Sequence, residues 1–180
     1  MLMDRGDSLL LVVDVQERLL PVMETPETVT DNISLLLAAA RELAVPVLVS
    51  EQYPKGLGPT VDVLRSQVEE REVLPKMAFS CAGDEAIADA IAASGRRNIV
   101  ICGIEAHVCV LQSALGFLRD GYGVCVTTDA VSSRRADSRE TALKRMASNG
   151  VEIVTTEMVV FEWLHHAGTP EFKALSKLIK

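Results

Sequence analysis

Five short apolar runs, each set off from the next by intervening chain that is mostly helical in length and period, limit what this chain can fold into. They cover residues 8–13, 45–49, 98–102, 123–127 and 151–155, are dense in Val, Leu and Ile, and show no in–out alternation. That is the pattern of strands buried on both faces. Residues 29–43 are apolar along one face, with Thr28 or Thr30 as caps and Pro46 just beyond the end. Three further helical stretches end on strong stops: 84–93 at Ser94-Gly95, 107–119 at Asp120-Gly121 and 138–147 at Asn149-Gly150. From Thr169 onward the chain reads as a last amphipathic helix, with Phe172, Leu175, Leu178 and Ile179 apolar.

Strand and helix alternating in this way imply βαβ units with right-handed crossovers. The expected fold is α/β: a single three-layer α/β/α Rossmann-like domain over residues 1–180, with a mainly parallel sheet of five or six strands. The length of 180 residues fits one such domain. In these sheets ligands bind beyond the carboxyl ends of the strands, so polar residues just after strand ends carry weight. The Gly- and Pro-rich loop 51–60 lies after the second strand, where it can cover a site, and Gly56 and Gly58 can take unusual backbone angles.

Charge and cysteine usage exclude other classes. A net charge of −7 with only short basic pairs opposes a nucleic-acid surface. The run 9–13 is too short to span a bilayer and meets Asp14 directly, so no membrane role is expected. Cys81, Cys102, Cys109 and Cys125 show no C-x-x-C spacing and nothing reads as a signal peptide, which points to reduced thiols and a cytoplasmic location. No Cys or His pair has metal-ligand spacing, so neither metal nor cofactor is expected.

Three residues could carry chemistry. Asp14 ends the first apolar run; a carboxylate there is either an ionisable group at the ligand edge or a structural cap of the next turn. Cys109 falls in the first turns of the helix after the third run, past Gly103, which permits a sharp turn. A helix N-terminus favours thiolate and offers amides to an oxyanion, although a buried core role is the usual fate of a free cysteine. Lys76 alone reads as a surface charge. Its meaning changes if the three converge, because a carboxylate can then take the thiol proton while an ammonium balances the charge. Cys102 and Cys125 lie inside strands and read as core.

That set resembles the isochorismatase-like, or cysteine hydrolase, superfamily over the whole chain. D-V-Q at 14–16, P-K-M-A-F-S at 75–80, G-I-E-A-H-V-C-V at 103–110 and T-D-A-V-S-S-R at 128–134 are similar to its ordered motifs. The resemblance implies Cys109 as nucleophile, Asp14 as general base and later acid, and Lys76 as electrostatic partner. It further implies a cis peptide between Ile104 and Glu105 and an oxyanion hole from the amides of Glu105 and Cys109. Residues 129–134 would buttress the fold, and a homo-oligomer, dimer or tetramer, is expected.

Departures from the superfamily's patterns narrow the reading. Nicotinamidases carry Asp-x-His after the second strand, where this chain has Ser50-Glu51-Gln52-Tyr53, so zinc and nicotinamide are not expected. Isochorismatases proper lack the cysteine. The loop 51–60 looks most like the isochorismatase domain-containing subgroup. The expected function is hydrolysis of a small-molecule substrate, an amide C–N bond, through a covalent Cys109 intermediate, with Gln16, Tyr53, Leu57 and Phe79 as pocket walls. The alternative is a non-catalytic or redox-sensing binding protein that kept the fold. His107 is two residues from Cys109, a spacing that does not face one helical side chain to the other, while His165 and His166 read as structural or subunit-contact residues.

Overall fold

The computed structural model describes residues 2–179. Six strands form one sheet: β1 (Ser8–Val13), β2 (Val47–Gln52), β3 (Val73–Lys76), β4 (Asn98–Ile104), β5 (Gly123–Ser132) and β6 (Glu152–Val154). All strand pairings are parallel, in the order β3-β2-β1-β4-β5-β6. The chain runs outward from β1 to β3, then returns to β1's other side to build β4 to β6. The strand order therefore reverses between β1 and β4, which is where such sheets open a ligand crevice.

Around the sheet lie α1 (Pro26–Glu42), α2 (Pro54–Leu57), α3 (Asp62–Arg65), α4 (Glu85–Ala93), α5 (Leu111–Arg119), α6 (Ala136–Ser148), α7 (Thr156–Leu164) and α8 (Pro170–Leu175). Two apolar clusters explain why the strands read as continuous. Leu10, Val12, Val49, Val100 and Cys102 pack under α1, α7 and α8. Leu9, Leu11, Val13, Ile99 and Ile101 pack under α4, α5 and α6. Alternate residues go to opposite faces, and both faces are dry.

The elements differ from the sequence expectation in specific places. The second strand does not occupy 45–49 but runs on through Ser50, Glu51 and Gln52, because pairing with β1 and β3 continues there. β3 lies outside the five expected runs: four residues including Pro75 make a weak signal, and Pro is tolerated because this strand is the sheet edge. β5 extends five residues past Thr127, to Ser132. The fifth expected run is shorter than 151–155, ending at Val154, and Thr155 instead caps α7 by accepting from the Met158 amide. α7 is also absent from the expected helices, since its apolar residues lie nearly all round. The first helix begins at Pro26, before Thr28, with no side-chain cap. Thr169 does cap the final helix, but that helix stops at Leu175, short of Leu178 and Ile179.

Gly103 is not a turn residue. It lies within β4 at φ 113°, and a Cβ there would meet the Val13 carbonyl oxygen at 2.1 Å. Only glycine lets β4 approach β1 so closely beside the switch point.

Candidate active site

Asp14 follows β1 directly, with φ 53°, a left-handed conformation that Asp tolerates better than most residues. Its amide still donates to the Ser50 carbonyl at 3.0 Å, so the turn begins only after the last sheet bond. The side chain is fully buried. Lys76, at the end of β3, places Nζ 2.7 Å from Asp14 Oδ2, and its side chain is also fully buried. The surface reading of Lys76 does not hold: the ammonium also donates to Gln52 Oε1 at 2.6 Å and to the carbonyls of Ala78 and Phe79 at 3.2 Å each. Such an ammonium is desolvated but well satisfied. From β2, Ser50 Oγ donates to Asp14 Oδ1 at 2.7 Å.

Burial pushes the Asp14 carboxyl above its ordinary value, and Lys76, Ser50 and Cys109 pull against this without cancelling it. Cys109 lies beside the same carboxylate, close enough for each group to shift the other. It sits in a π-helical turn, Ala106–Val110, that precedes α5, and is 7% exposed. The expectation of a thiolate favoured by a helix N-terminus is not met. Burial first, and then the negative charge of Asp14, push the thiol well above its usual range, with Lys76 opposing. A thiol and a carboxyl that are both raised therefore stand side by side, a pairing whose proton affinities are drawn toward one another. The Ile104–Glu105 bond just before this turn is cis.

The four expected pocket residues divide. Tyr53 and Phe79 are exposed, Leu57 is half-buried, and Gln16 is buried completely. Gln16 does not line a pocket. Its amide donates to the carbonyls of Gln52 and Gly58 and accepts from the Gln52 amide, stapling the loop after β2 to the end of β1. Glu51 does the same from below, accepting from Thr60 N at 2.7 Å and Thr60 Oγ1 at 2.8 Å. Gly58 takes φ 80°, whereas at Gly56 the Tyr53 ring lies where a Cβ would be, so a side chain there would have to displace that half-exposed ring.

On the other side of the turn that carries Cys109, His107 Nδ1 lies 2.9 Å from Ser133 Oγ, and Glu105 Oε2 accepts from the Arg134 amide and guanidinium. His107 thus faces β5 and α6, away from Asp14. Asp129 Oδ1 receives the amide and hydroxyl of Thr156, tying β5 to α7. His165 approaches Asp4 at 3.4 Å. Among the described residues no three His, Cys, Asp or Glu side chains gather as a metal site. Sequence reasoning misses Ser50 and Cys81. In the sequence Ser50 stands out only as a residue where a metal motif is lacking, yet it lies one step from Asp14 at a strand end, the place the sheet topology marks.

Comparison with known proteins shows relatives over most of the chain. The family model described as the isochorismatase domain matches residues 8–158. A secreted isochorismatase effector from Phytophthora sojae is 40% identical over 177 residues, 96% of this chain and 84% of that protein. Isochorismatase domain-containing protein 1 of Salmo salar is 39% identical over 93% of this chain, which spans only 59% of that longer relative. Among solved structures, a MAR1 ribonuclease from Caenorhabditis elegans superposes with TM-score 0.93 at 35% identity, covering 99% of this chain and 92% of that one. An octameric hydrolase of unknown specificity from Escherichia coli superposes with TM-score 0.92 at 25% identity, covering 98% and 88%.

Proposed function

The chain belongs to the isochorismatase domain family, and from that premise we propose a cysteine hydrolase that cleaves an amide C–N bond of a small molecule. One observation carries the reading: a buried carboxylate, Asp14, is paired with Lys76 at 2.7 Å and stands beside the Cys109 thiol, on which its charge acts. Asp14 takes the thiol proton as Sγ attacks the carbonyl carbon. The amides of Glu105 and Cys109 receive the oxyanion, and the Lys76 ammonium offsets the negative charge that accumulates. Asp14 then protonates the leaving nitrogen, the C–N bond breaks, and an acyl-thioester remains on Cys109. Water attacks the thioester with Asp14 again as base, and the acid leaves as the thiol is restored.

The raised thiol opposes the redox-sensing alternative, since oxidation selects thiolates that are exposed and stabilised. The ribonuclease description of the worm protein is not carried over, because a net charge of −7 gives no cationic track for a phosphate backbone. The proposal includes a dimer or tetramer, consistent with the octameric neighbour, and a cytosolic setting supported by four unpaired cysteines. Among the described residues no helix is long and apolar enough to cross a membrane.

The test is a panel of small primary and secondary amides, followed by amine release and by intact mass after rapid quenching. The expected result is an acyl adduct on Cys109 in the wild type that fails to form in Asp14→Asn. Turnover that survives Cys109→Ala would sink the mechanism.

A further inference from the structure

The two oxygens of Asp14 have partners of different character. Oδ2 faces Lys76 Nζ, an ammonium that can only donate; Oδ1 faces Ser50 Oγ at 2.7 Å, a hydroxyl that can donate or accept. Ser50 is fully buried, and behind it stands a second buried group that the proposed mechanism does not use, Cys81, with Sγ 3.5 Å from Ser50 Oγ. Cys81 is held from the other side, where its amide donates to Ser113 Oγ at 2.8 Å. Ser113 lies four residues after Cys109 and so on the same side of its helix. Asp14, Ser50, Cys81 and the Cys109 helix therefore close a ring in the buried floor of the site.

We infer that Ser50 is a positioning residue whose hydroxyl serves Asp14 in both of its protonation states, with Cys81 as the second partner that lets the hydroxyl turn round. While Asp14 is ionised, Ser50 donates to Oδ1 and the Cys81 thiol donates to Ser50 Oγ. When Asp14 has taken the Cys109 proton on Oδ1, it donates to Ser50 Oγ, and the Ser50 hydroxyl rotates to donate to Cys81 Sγ. No atom leaves Ser50 or Cys81. Lys76 cannot reverse in this way, so Oδ1 is the oxygen that can hold a proton inside a hydrogen bond. In neither state is the hydroxyl left without a partner, which keeps both states accessible through a catalytic cycle.

This rests on the reading of Asp14 as the base for Cys109, and the experiment separates the two. The rate of Cys109 alkylation by iodoacetamide, followed by mass against pH, needs no substrate. In the wild type its acid limb reports ionisation of Asp14. A hydrogen bond to a charged group is roughly twice as strong as a neutral one, so Ser50→Ala penalises the ionised form more and should move the limb up by about one pH unit. Ser50→Thr, which keeps the hydroxyl, should restore it. Cys81→Ala leaves the turned-round hydroxyl without an acceptor and so penalises the protonated form; it should move the limb in the opposite direction by a smaller amount, and Cys81→Ser should not. If Ser50→Ala does not fold, the two Cys81 variants decide, and identical limbs in both overturn the inference. A limb unmoved in folded Ser50→Ala, but lost in Asp14→Asn, overturns the inference alone. A limb that persists in Asp14→Asn overturns the reading of Asp14 and the inference with it.

Discussion

The two faces of the sheet each bury a pair of cysteines, Cys102 and Cys125 under α1 and α7, Cys81 and Cys109 under α4 to α6. All four are unpaired and buried, and burial is the largest cause raising each thiol. For Cys102 burial acts alone. For Cys109 and Cys81 the Asp14 carboxylate and the Lys76 ammonium act as well. Burial does not distinguish an inert thiol from a reactive one in this molecule. On the proposed mechanism the distinction lies in whether a neighbouring group can accept the proton, and Asp14 stands beside the thiols of one face only.

The largest expected effect breaks or upholds that contrast directly. Cys109→Ala should lower turnover of any amide substrate by about 10⁴-fold or more. Cys102→Ala should leave it within about twofold while costing roughly 1–2 kcal/mol of stability. Steady-state rates paired with thermal unfolding check both. Comparable loss of activity in the two variants would mean that the face carrying Asp14 has no special chemistry.

The same contrast explains what can be read in the sequence. Asp14 and Cys109 each stand just past an apolar run, and the rule that ligands gather beyond strand ends singles out such places from the order of residues alone. Lys76 is legible only through resemblance, because its strand is four residues long at the sheet edge and its burial comes from the Phe79 and Gln52 segments folding over it. Ser50 and Cys81 are not legible. Ser50, Glu51 and Gln52 look like a polar loop, and they become a buried strand end only because Gln16 and Thr60, distant in sequence, consume the hydrogen bonds of Gln52 and Glu51. The α/β layering is plain for the opposite reason: apolar runs and glycine stops are local.

Lys76→Met is next in size, and its effect should depend on pH. Breaking a buried ion pair costs about 3–5 kcal/mol when the remaining charge persists. Asp14 can escape by protonation, and the folded state already raises its pKa above the ordinary 3.8. A carboxyl raised on folding binds more protons folded than unfolded, so its contribution falls as pH rises through the window above 3.8. The penalty of Lys76→Met should therefore be small near pH 4 and grow toward neutrality, as read by urea unfolding across that range. A penalty flat with pH would remove Asp14 as its cause. On the Cys102 face no variant should show such a slope.

His107→Gln tests the contrast within one helical turn. His107 contacts Ser133 on the side of the turn away from Asp14, so the variant should reduce turnover by less than about tenfold, the lower bound for loss of a general acid or base being about 10²-fold. A fall matching that of Asp14→Asn would place a second proton-transfer group on the back of the nucleophile turn.

The smallest effect belongs to the opposite face. The Cys125 thiol is pushed up to about 12, first by burial and then by the negative charges of Glu152 and Glu162. It therefore has carboxylates in its surroundings, as Cys109 does, but no lysine and no hydrogen bond to a carboxylate among the causes that shift it. If negative charge nearby were enough to activate a buried thiol, Cys125 would alkylate. If acceptance of the proton through a direct hydrogen bond is what matters, it will not. Cys125→Ala should cost about 1 kcal/mol, leave turnover unchanged and leave the total alkylation of the folded protein at about pH 8 unchanged as well. Loss of a modified site in that variant would show that field alone suffices, and the role of Asp14 would then reduce to its charge.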